Sequence, residues 1–490
     1  MASVEYDKTD ALSLESYAKG LIGYTFYDVM HNKVNSSREM AMRADAYGDP
    51  KRKGGLGNLI EEVYFGYKAN SISEADFPEA GVELKVTVFE EKKDGELRAG
   101  ERLVLSMINY NGPIEETLEE SHMWQKCRQL LLIYYLRDKN IKDNLQFKIC
   151  FASLFTPKGV DLKIIEEDYR YIAGKVQSGT AEELSEADTK YLGACTKGAN
   201  AEKSIVKQWY PPYKPAKKRA FCYKNSYMTF VLNEYIAPVK TDYQNIINNP
   251  AVLEENSFEQ IIIGRIKKYV GMTDKEICQA FGETYTRNKA QWTTLAYRML
   301  GIKNNKAEEF AKANISVRVI RIESNGNMAE NMSLPAFKYK ELAKEEWEDS
   351  TLKGYFEETR FFFVVFKNDG TDYRLKGCQF WNMPYRDIET IVRPGWNKIV
   401  DVIRRGVELE MVETKNGVVI RNNFPSIGDN AAIHIRPHAS KRYYRFNNGT
   451  VIGNGTEADA NPLPDGTWMP NYSFWLNNTY ILSQLNADLK

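Results

Sequence analysis

Apolar positions recur along this chain with two periods, and the switch between them marks its first elements. In GGLGNLIEEVYFG (54–66), Leu56, Leu59, Ile60 and Val63 fall at i, i+3, i+4 and i+7, which predicts a short amphipathic helix. Glu61 and Glu62 lie off that apolar face. The following KANSISEADFPEAG is rich in Ser, Asn, Pro and Gly and predicts a loop. In GVELKVTVF the period drops to two: Val82, Leu84, Val86 and Val88 alternate with Glu83, Lys85 and Thr87. This is the pattern of a half-buried strand, with Glu83 and Lys85 on one face. A second alternating strand is expected at 102–108 and a nearly continuous apolar one at 130–136.

Asp76 precedes Glu83 by seven residues, which gives D-x6-E-x-K. Phosphodiester hydrolysis explains the interest of this grouping. Two carboxylates suit Mg²⁺, a hard cation that prefers oxygen ligands and keeps several waters. A lysine beside them stabilises the negative charge that develops on phosphate. Asp76 and Glu83 fit the metal, Lys85 fits the water or the scissile phosphate, and Glu61 fits a second metal or the ordering of the water. Solvated sheet edges carry the same residue types, so the spacing alone does not establish catalysis.

Composition narrows the class. A chain of 490 residues, 43% hydrophobic and 12% aromatic, has material for two or three packed domains. No run approaches the ~18 uncharged apolar residues of a membrane span. The first twenty residues, MASVEYDKTDALSLESYAKG, lack an apolar core and do not read as a secretory signal. The six cysteines are scattered with no C-x-x-C pair, so a reduced, cytoplasmic setting is expected rather than a zinc site or a disulfide framework. Net charge is zero, unlike most DNA-binding proteins. Any basic surface is therefore local, and Lys214, Lys217, Lys218 and Arg219 form one candidate.

Five ordered blocks carry a resemblance. KGGLGNLIE, DFPEAGVELK, WQKCR before an apolar strand, YLGACTKGANAE (191–202) and RAFCYKNSYMTFVL (219–232) resemble the MutH and Sau-three-A-I group of endonucleases. With LAKEEWEDS in the second half, the resemblance to the Sau-three-A-I type covers nearly the whole chain. It implies an α/β fold of two tandem restriction-endonuclease-like (MutH-like) domains, each a mixed β-sheet flanked by helices. It also implies Mg²⁺-dependent hydrolysis of double-stranded DNA at GATC. By motif, Asp76, Glu83 and Lys85 become the catalytic trio, Glu61 the helix glutamate with Glu62 as fallback, and Lys126 a further active-site lysine. Metal ligation falls to Asp76, Glu83 and Glu61. Lys197 and Gly198 fall in the loop that reads bases in the major groove, although Cys-Thr-Lys stands here where MutH has Arg-Pro-Lys. A lysine donor matches guanine O6 and N7; most lysines, however, touch phosphate or solvent only.

The second half repeats the first with its chemistry removed. A shift of 233 pairs Asp76 with Glu309, Glu83 with Ser316 and Lys85 with Arg318. RFFFVVF answers RQLLLIY, which sets Glu358 opposite Lys126, while Ala296 and Tyr297 stand opposite Glu61 and Glu62. F-x-x-x-N-x-Y occurs at Phe221 and again at Phe474, and Gly23-x-Thr25 is echoed by Gly271-x-Thr273. A catalytically dead lobe is expected. Its loop HIRPHASKRYYR offers Arg436 and His438 opposite Cys195 and Lys197 for contact with a second DNA site, as an allosteric effector; a purely structural lobe is the alternative. The boundary is expected between residues 237 and 256, with 1–240 catalytic and 241–490 degenerate. Two lobes in one chain permit a monomer that associates on DNA.

A type II restriction endonuclease is the leading expectation. A strand-specific nickase of mismatch repair and a DNA sensor that does not cut are the alternatives. The fused second lobe argues against the nickase, and the intact D-x6-E-x-K against the sensor.

Overall fold

The computed structural model describes residues 6–34, 37–48, 54–67, 74–92, 95–197, 204–237, 242–286, 288–415, 417–438 and 440–490. They form two compact units, each discontinuous in sequence: Met1–Phe258 with Ile302–Ile315, and Glu259–Gly301 with Ser316–Lys490.

The strands of the first unit are β1 (Val82–Glu91), β2 (Leu97–Ala99), β3 (Leu103–Met107), β4 (Gln129–Leu136), β5 (Lys148–Phe155), β6 (Leu192–Thr196), β7 (Ile205–Lys207), β8 (Pro215–Lys217) and β9 (Arg219–Tyr223). Its helices include α1 (Ala11–Lys19), α2 (Phe26–Lys33), α3 (Ser37–Gly48), α4 (Gly55–Leu59), α5 (His122–Cys127), α6 (Gly159–Gln177) and α7 (Asn225–Val231). One sheet has the order β2-β1-β4-β5, a second the order β3-β9-β6, and β7 and β8 make a hairpin. The apolar run at 130–136 becomes β4, which pairs in parallel with β1 and antiparallel with β5. An inner strand flanked on both sides needs apolar residues at successive positions, and Leu130 to Tyr134 are all fully buried.

The alternating segment is more deeply buried than its pattern implies. Val82 and Leu84 enter a core with Leu14, Phe26, Val29, Leu59 and Ile60 from α1, α2, α4 and the turn after α4. The charged face is covered as well, because α5 packs against β1 and β3, and Glu83 is 3% exposed. The expected half-buried strand is thus an inner strand with one apolar and one charged face, on which Glu83 is buried and Lys85 partly so.

The predicted helix at 54–66 also differs in form. α4 ends at Leu59 and continues as a π turn, Ile60–Tyr64, in which Phe65 N–H donates to Ile60 C=O across five residues. Such a turn rotates the side chains after it relative to a continuous α-helix, and it recurs at functional sites. Residues 302–315 close this unit. Lys312 Nζ lies 2.7 Å from Asp161 Oδ1 and 2.7 Å from Glu308 Oε1, with all but a few per cent of its surface buried and its ammonium 4.4 Å from the centre of the Phe230 ring.

In the second unit, Ile315–Ile322, Arg360–Asn368 and Tyr373–Trp381 form one sheet in that order, and Met332–Ala336, Tyr472–Leu476 and Ile433–Pro437 another. Taken along the chain, these six follow the arrangement of β1-β4-β5 and β3-β9-β6. Local landmarks repeat too. Gly23 and Gly271 have φ of 99° and 91°, and each precedes a threonine that closes a capping box on the next helix. Gly81 and Asn314, aligned by the shift of 233, both lie in the left-handed region, at φ 65° and 53°. The fold is mixed α/β, with several sheets flanked by helices. Among the described residues, no helix is long and apolar enough to cross a membrane.

Candidate active site

The loop before β1 and the strand itself are tied by two crossed hydrogen bonds. Asp76 N–H donates to Glu83 Oε2 at 3.1 Å, and Leu84 N–H donates to Asp76 Oδ2 at 3.0 Å. The period of two places Lys85 on the face of Glu83, as expected, and its ammonium donates to Glu83 Oε1 at 2.7 Å. Lys126 Nζ, near the end of α5, is 3.6 Å from the same oxygen. Segments far apart in sequence thus converge on one buried carboxylate.

Charges in this pocket do not balance. Burial, then the charge of Glu83, pushes the Asp76 carboxyl up to about 7, against the pull of the Leu84 N–H. Glu61 is raised as well, by burial first; Lys85 opposes this, and Glu83 and Glu62 add to it. Lys85 is held above the ordinary lysine value: burial draws it down, but the Glu83 carboxylate outweighs that. Three carboxyls, those of Asp76, Glu83 and Glu61, face two ammonium groups.

That deficit is the test of fit for a divalent cation. The donors are all carboxylate oxygens, the set a hard cation takes. Among the described residues, no group of three or more His, Cys, Asp or Glu is gathered as a ready chelate, so Glu61 does not join Asp76 and Glu83 as a third ligand in this arrangement. Mg²⁺ is commonly held by one or two carboxylates with water and substrate phosphate supplying the rest, and Asp76 with Glu83 meets that requirement. The neighbouring Glu62 is engaged elsewhere, as acceptor from the Tyr47 hydroxyl.

Two residues of this site carry no sequence signal. Tyr67 packs edge-on against Phe77, at 5.3 Å between ring centres, and its buried hydroxyl has no hydrogen-bond partner among the described residues. Burial, and after it Asp76, Glu61 and Glu83, hold that phenol well above its ordinary value. Cys127, next to Lys126, is buried with its thiol pushed up to about 12 by burial.

The remaining predicted residues lie elsewhere. Lys197 follows β6, is half-buried, and its N–H donates to Lys218 C=O at 2.8 Å. Gly198 lies outside the described residues. Arg219, read as part of a basic surface, is 4% exposed and donates to Ala194 C=O at 2.7 Å; its place in β9, opposite Thr196, turns it inward. In the second unit, Arg436 is exposed, with its guanidinium 3.6 Å from the centre of the Trp475 ring. His438 is exposed, with its N–H bonded to Asn471 C=O at 2.8 Å and Nδ1 3.5 Å from Ser473 Oγ. Strand register agrees with the sequence alignment: Ala194 faces Phe221 as Ile435 faces Phe474, which sets Cys195 and Lys197 opposite Arg436 and His438.

Among the described residues, the second unit does not rebuild the carboxylate cluster. Ser316 and Arg318 occupy the strand, Ala296 is buried in its helix, and Glu358 ends the helix Thr351–Glu358. Glu309, aligned with Asp76, belongs to the first unit, where it accepts hydrogen bonds from Ile246 N–H at 2.9 Å and Ile247 N–H at 2.7 Å. All six cysteines of the chain are free thiols.

Comparison with known proteins places these features. The family described as DNA mismatch repair enzyme MutH matches residues 65–168, a stretch that includes Asp76, Glu83, Lys85 and Lys126. The type II restriction enzyme Sau3AI of Staphylococcus aureus is 35% identical over 466 residues, covering 88% of this chain and 92% of that protein. The DNA mismatch repair protein MutH of Shigella boydii serotype 18 is 28% identical over 150 residues, covering 31% of this chain and 63% of that protein.

Proposed function

This chain belongs to the MutH/Sau3AI family and is a restriction endonuclease, a site-specific deoxyribonuclease, and on that basis we propose that it cuts double-stranded DNA at GATC with Mg²⁺, using Asp76, Glu83, Lys85, Lys126 and Glu61. Residues 1–240 carry the chemistry in this reading, and 241–490 hold a second DNA site that promotes it. The observation that carries the reading is the convergence of Asp76, Lys85 and Lys126 on the buried Glu83 carboxylate, with too little positive charge to balance the pocket.

Asp76 and Glu83 would hold the metal. When bound, Mg²⁺ supplies the missing positive charge, polarises the scissile phosphate and lowers the pKa of water. Lys85 and Lys126 keep the Glu83 carboxylate fixed and place two ammonium groups where phosphate charge grows during attack. Glu61, on the π turn, orders the attacking water. Water adds to phosphorus as the bond to the 3′ oxygen breaks, leaving a 5′-phosphate and a 3′-hydroxyl. Lys197, with its neighbour Gly198, reads bases from the major groove. The effector role rests on the exposed Arg436 and His438 in a unit that lacks the carboxylates.

Digestion of plasmids with one or several GATC sites, in Mg²⁺ or EDTA, followed by sequencing of the ends, tests this. Metal-dependent double-strand breaks at GATC, slower on the single-site plasmid, are expected. Open circles alone would identify a nickase. Retention of GATC duplex without any product would identify a sensor.

A further inference from the structure

Beyond Lys197 the first unit extends a hairpin whose composition departs from the rest of the chain. Residues 204–219 contain Lys207, Lys214, Lys217, Lys218 and Arg219 and no acidic residue, in a protein whose 66 basic and 66 acidic residues cancel over the whole chain. At its tip, Trp209 is 56% exposed and Tyr213 is 51% exposed. Exposed apolar side chains clustered together, rather than scattered singly, mark interaction sites. Lys207 holds its ammonium 5.5 Å from the centre of the Tyr213 ring. With Asn111, these side chains line an open cleft of about 600 Å³.

The tip is held rigidly. Gln208 is 2% exposed, accepts from Ala181 N–H at 2.9 Å and donates to Glu182 Oε2 at 2.8 Å and Lys214 C=O at 3.0 Å. Trp209 N–H donates to Tyr110 C=O at 2.7 Å. The turn sits so close on Gly179 that a Cβ there would meet Pro211 C=O at 1.9 Å. Aromatic rings presented on a fixed backbone lose little entropy when they bind.

At its base the hairpin is continuous with the sheet end that carries Lys197, since Lys218 C=O accepts the Lys197 N–H and Lys218 N–H donates to Ser204 C=O. We propose that this hairpin grips duplex DNA beside the recognised bases, with Lys207 and Lys218 on phosphates and Trp209 and Tyr213 packed in the groove against sugars and base edges. Charge selects this occupant: Lys214 is paired with Glu182 at 2.9 Å, but the exposed Lys207 and Lys218 beside the aromatic pair complement a polyanion, and apolar wedges flanked by basic residues are how proteins hold a groove without reading it. The proposal rests on the endonuclease reading above and adds a contact outside the bases read by Lys197.

The experiment compares the full-length wild type with Trp209→Ala/Tyr213→Ala and Lys207→Ala/Lys218→Ala. Fluorescence anisotropy is measured in EDTA on GATC duplexes of about one and about three helical turns. Wild-type affinity is expected to rise with the longer flanks. The aromatic variant should lose about tenfold on the long duplex and little on the short one. The lysine variant should lower the slope of log affinity against log salt by about 2, close to one per phosphate contact. Circular dichroism melting confirms that both variants are folded. Unchanged affinity at both lengths, while the wild type still cuts DNA, would overturn the hairpin proposal and leave the endonuclease reading intact. A changed sedimentation coefficient with unchanged DNA affinity would also overturn it and assign the tip to contacts between copies. Wild type that neither cuts nor binds GATC duplex would overturn both readings.

Discussion

Replacing Asp76 by asparagine takes one negative charge out of a pocket where three carboxyls, those of Asp76, Glu83 and Glu61, face the ammonium groups of Lys85 and Lys126. The Asp76 carboxyl sits at about 7 instead of 3.8. An acid held higher in the folded protein than in the unfolded chain opposes folding once it ionises. That cost is absent below about pH 4, grows as the pH rises to about 7, and is constant above. At about 1.4 kcal/mol per unit, a rise of about three units caps it near 4 kcal/mol. Asp76 is only partly buried and water screens part of the field, so we expect about 2 kcal/mol. In a unit of this size that is about 5 °C in melting temperature. Thermal unfolding in EDTA should therefore show Asp76→Asn melting above the wild type at pH 8, with the gain cut to about a third at pH 5. Adding Mg²⁺ should raise the wild type and leave the variant unmoved, by mass action on the folded state, and the variant should not cleave. An asparagine variant no more stable than wild type at pH 8, or one with the same gain at pH 5, would refute the electrostatic account of the pocket.

Lys85→Met should act in the opposite direction, because it leaves Glu83 buried with Lys126 3.6 Å away. Denaturant unfolding should show a loss of about 2–3 kcal/mol, and plasmid digestion no product. Lys312→Met strands the buried Asp161 carboxylate and should cost about 3–5 kcal/mol, most of it recovered by Lys312→Met with Asp161→Leu. Ser316→Glu placed in a Glu83→Ala background should yield no cleavage of multi-site plasmid, since Arg318, Ala296 and Glu358 still stand where the first copy has Lys85, Glu61 and Lys126; product would show that the second copy keeps a working centre.

The strand bearing Glu83 and Lys85 was legible because alternation is a local property of the chain. Its burial was not, because what covers the charged face arrives from α5 and from the loop of Asp76. The helix before it was legible as an apolar stripe, but a π turn leaves no mark in that stripe. The stripe left both glutamates off the apolar face, and only the resemblance preferred Glu61, which faces the pocket, to Glu62, which bonds Tyr47. The repeat was readable at strand-to-helix junctions and capping boxes, where a few neighbouring residues determine the geometry. Tyr67 was invisible, since its interest lies in a hydroxyl that finds no partner among the described residues, most of which lie far off in sequence. The membership of 302–315 in the first unit was equally hidden, because Lys312 and Asp161 are 151 positions apart.

Lys312 and Glu309 have a consequence for how the enzyme comes into being. The first unit is complete only when Ile302–Ile315 joins it, and those residues emerge well after Phe258. At ribosomal rates of about 5–20 residues per second the interval amounts to several seconds. During it the unit lacks the ammonium that neutralises Asp161 and the carboxylate that receives the Ile246 and Ile247 amides. A nascent chain halted or clipped in this window carries every residue of the candidate active site, yet leaves the Asp161 carboxylate and the Ile246 and Ile247 amides without these partners.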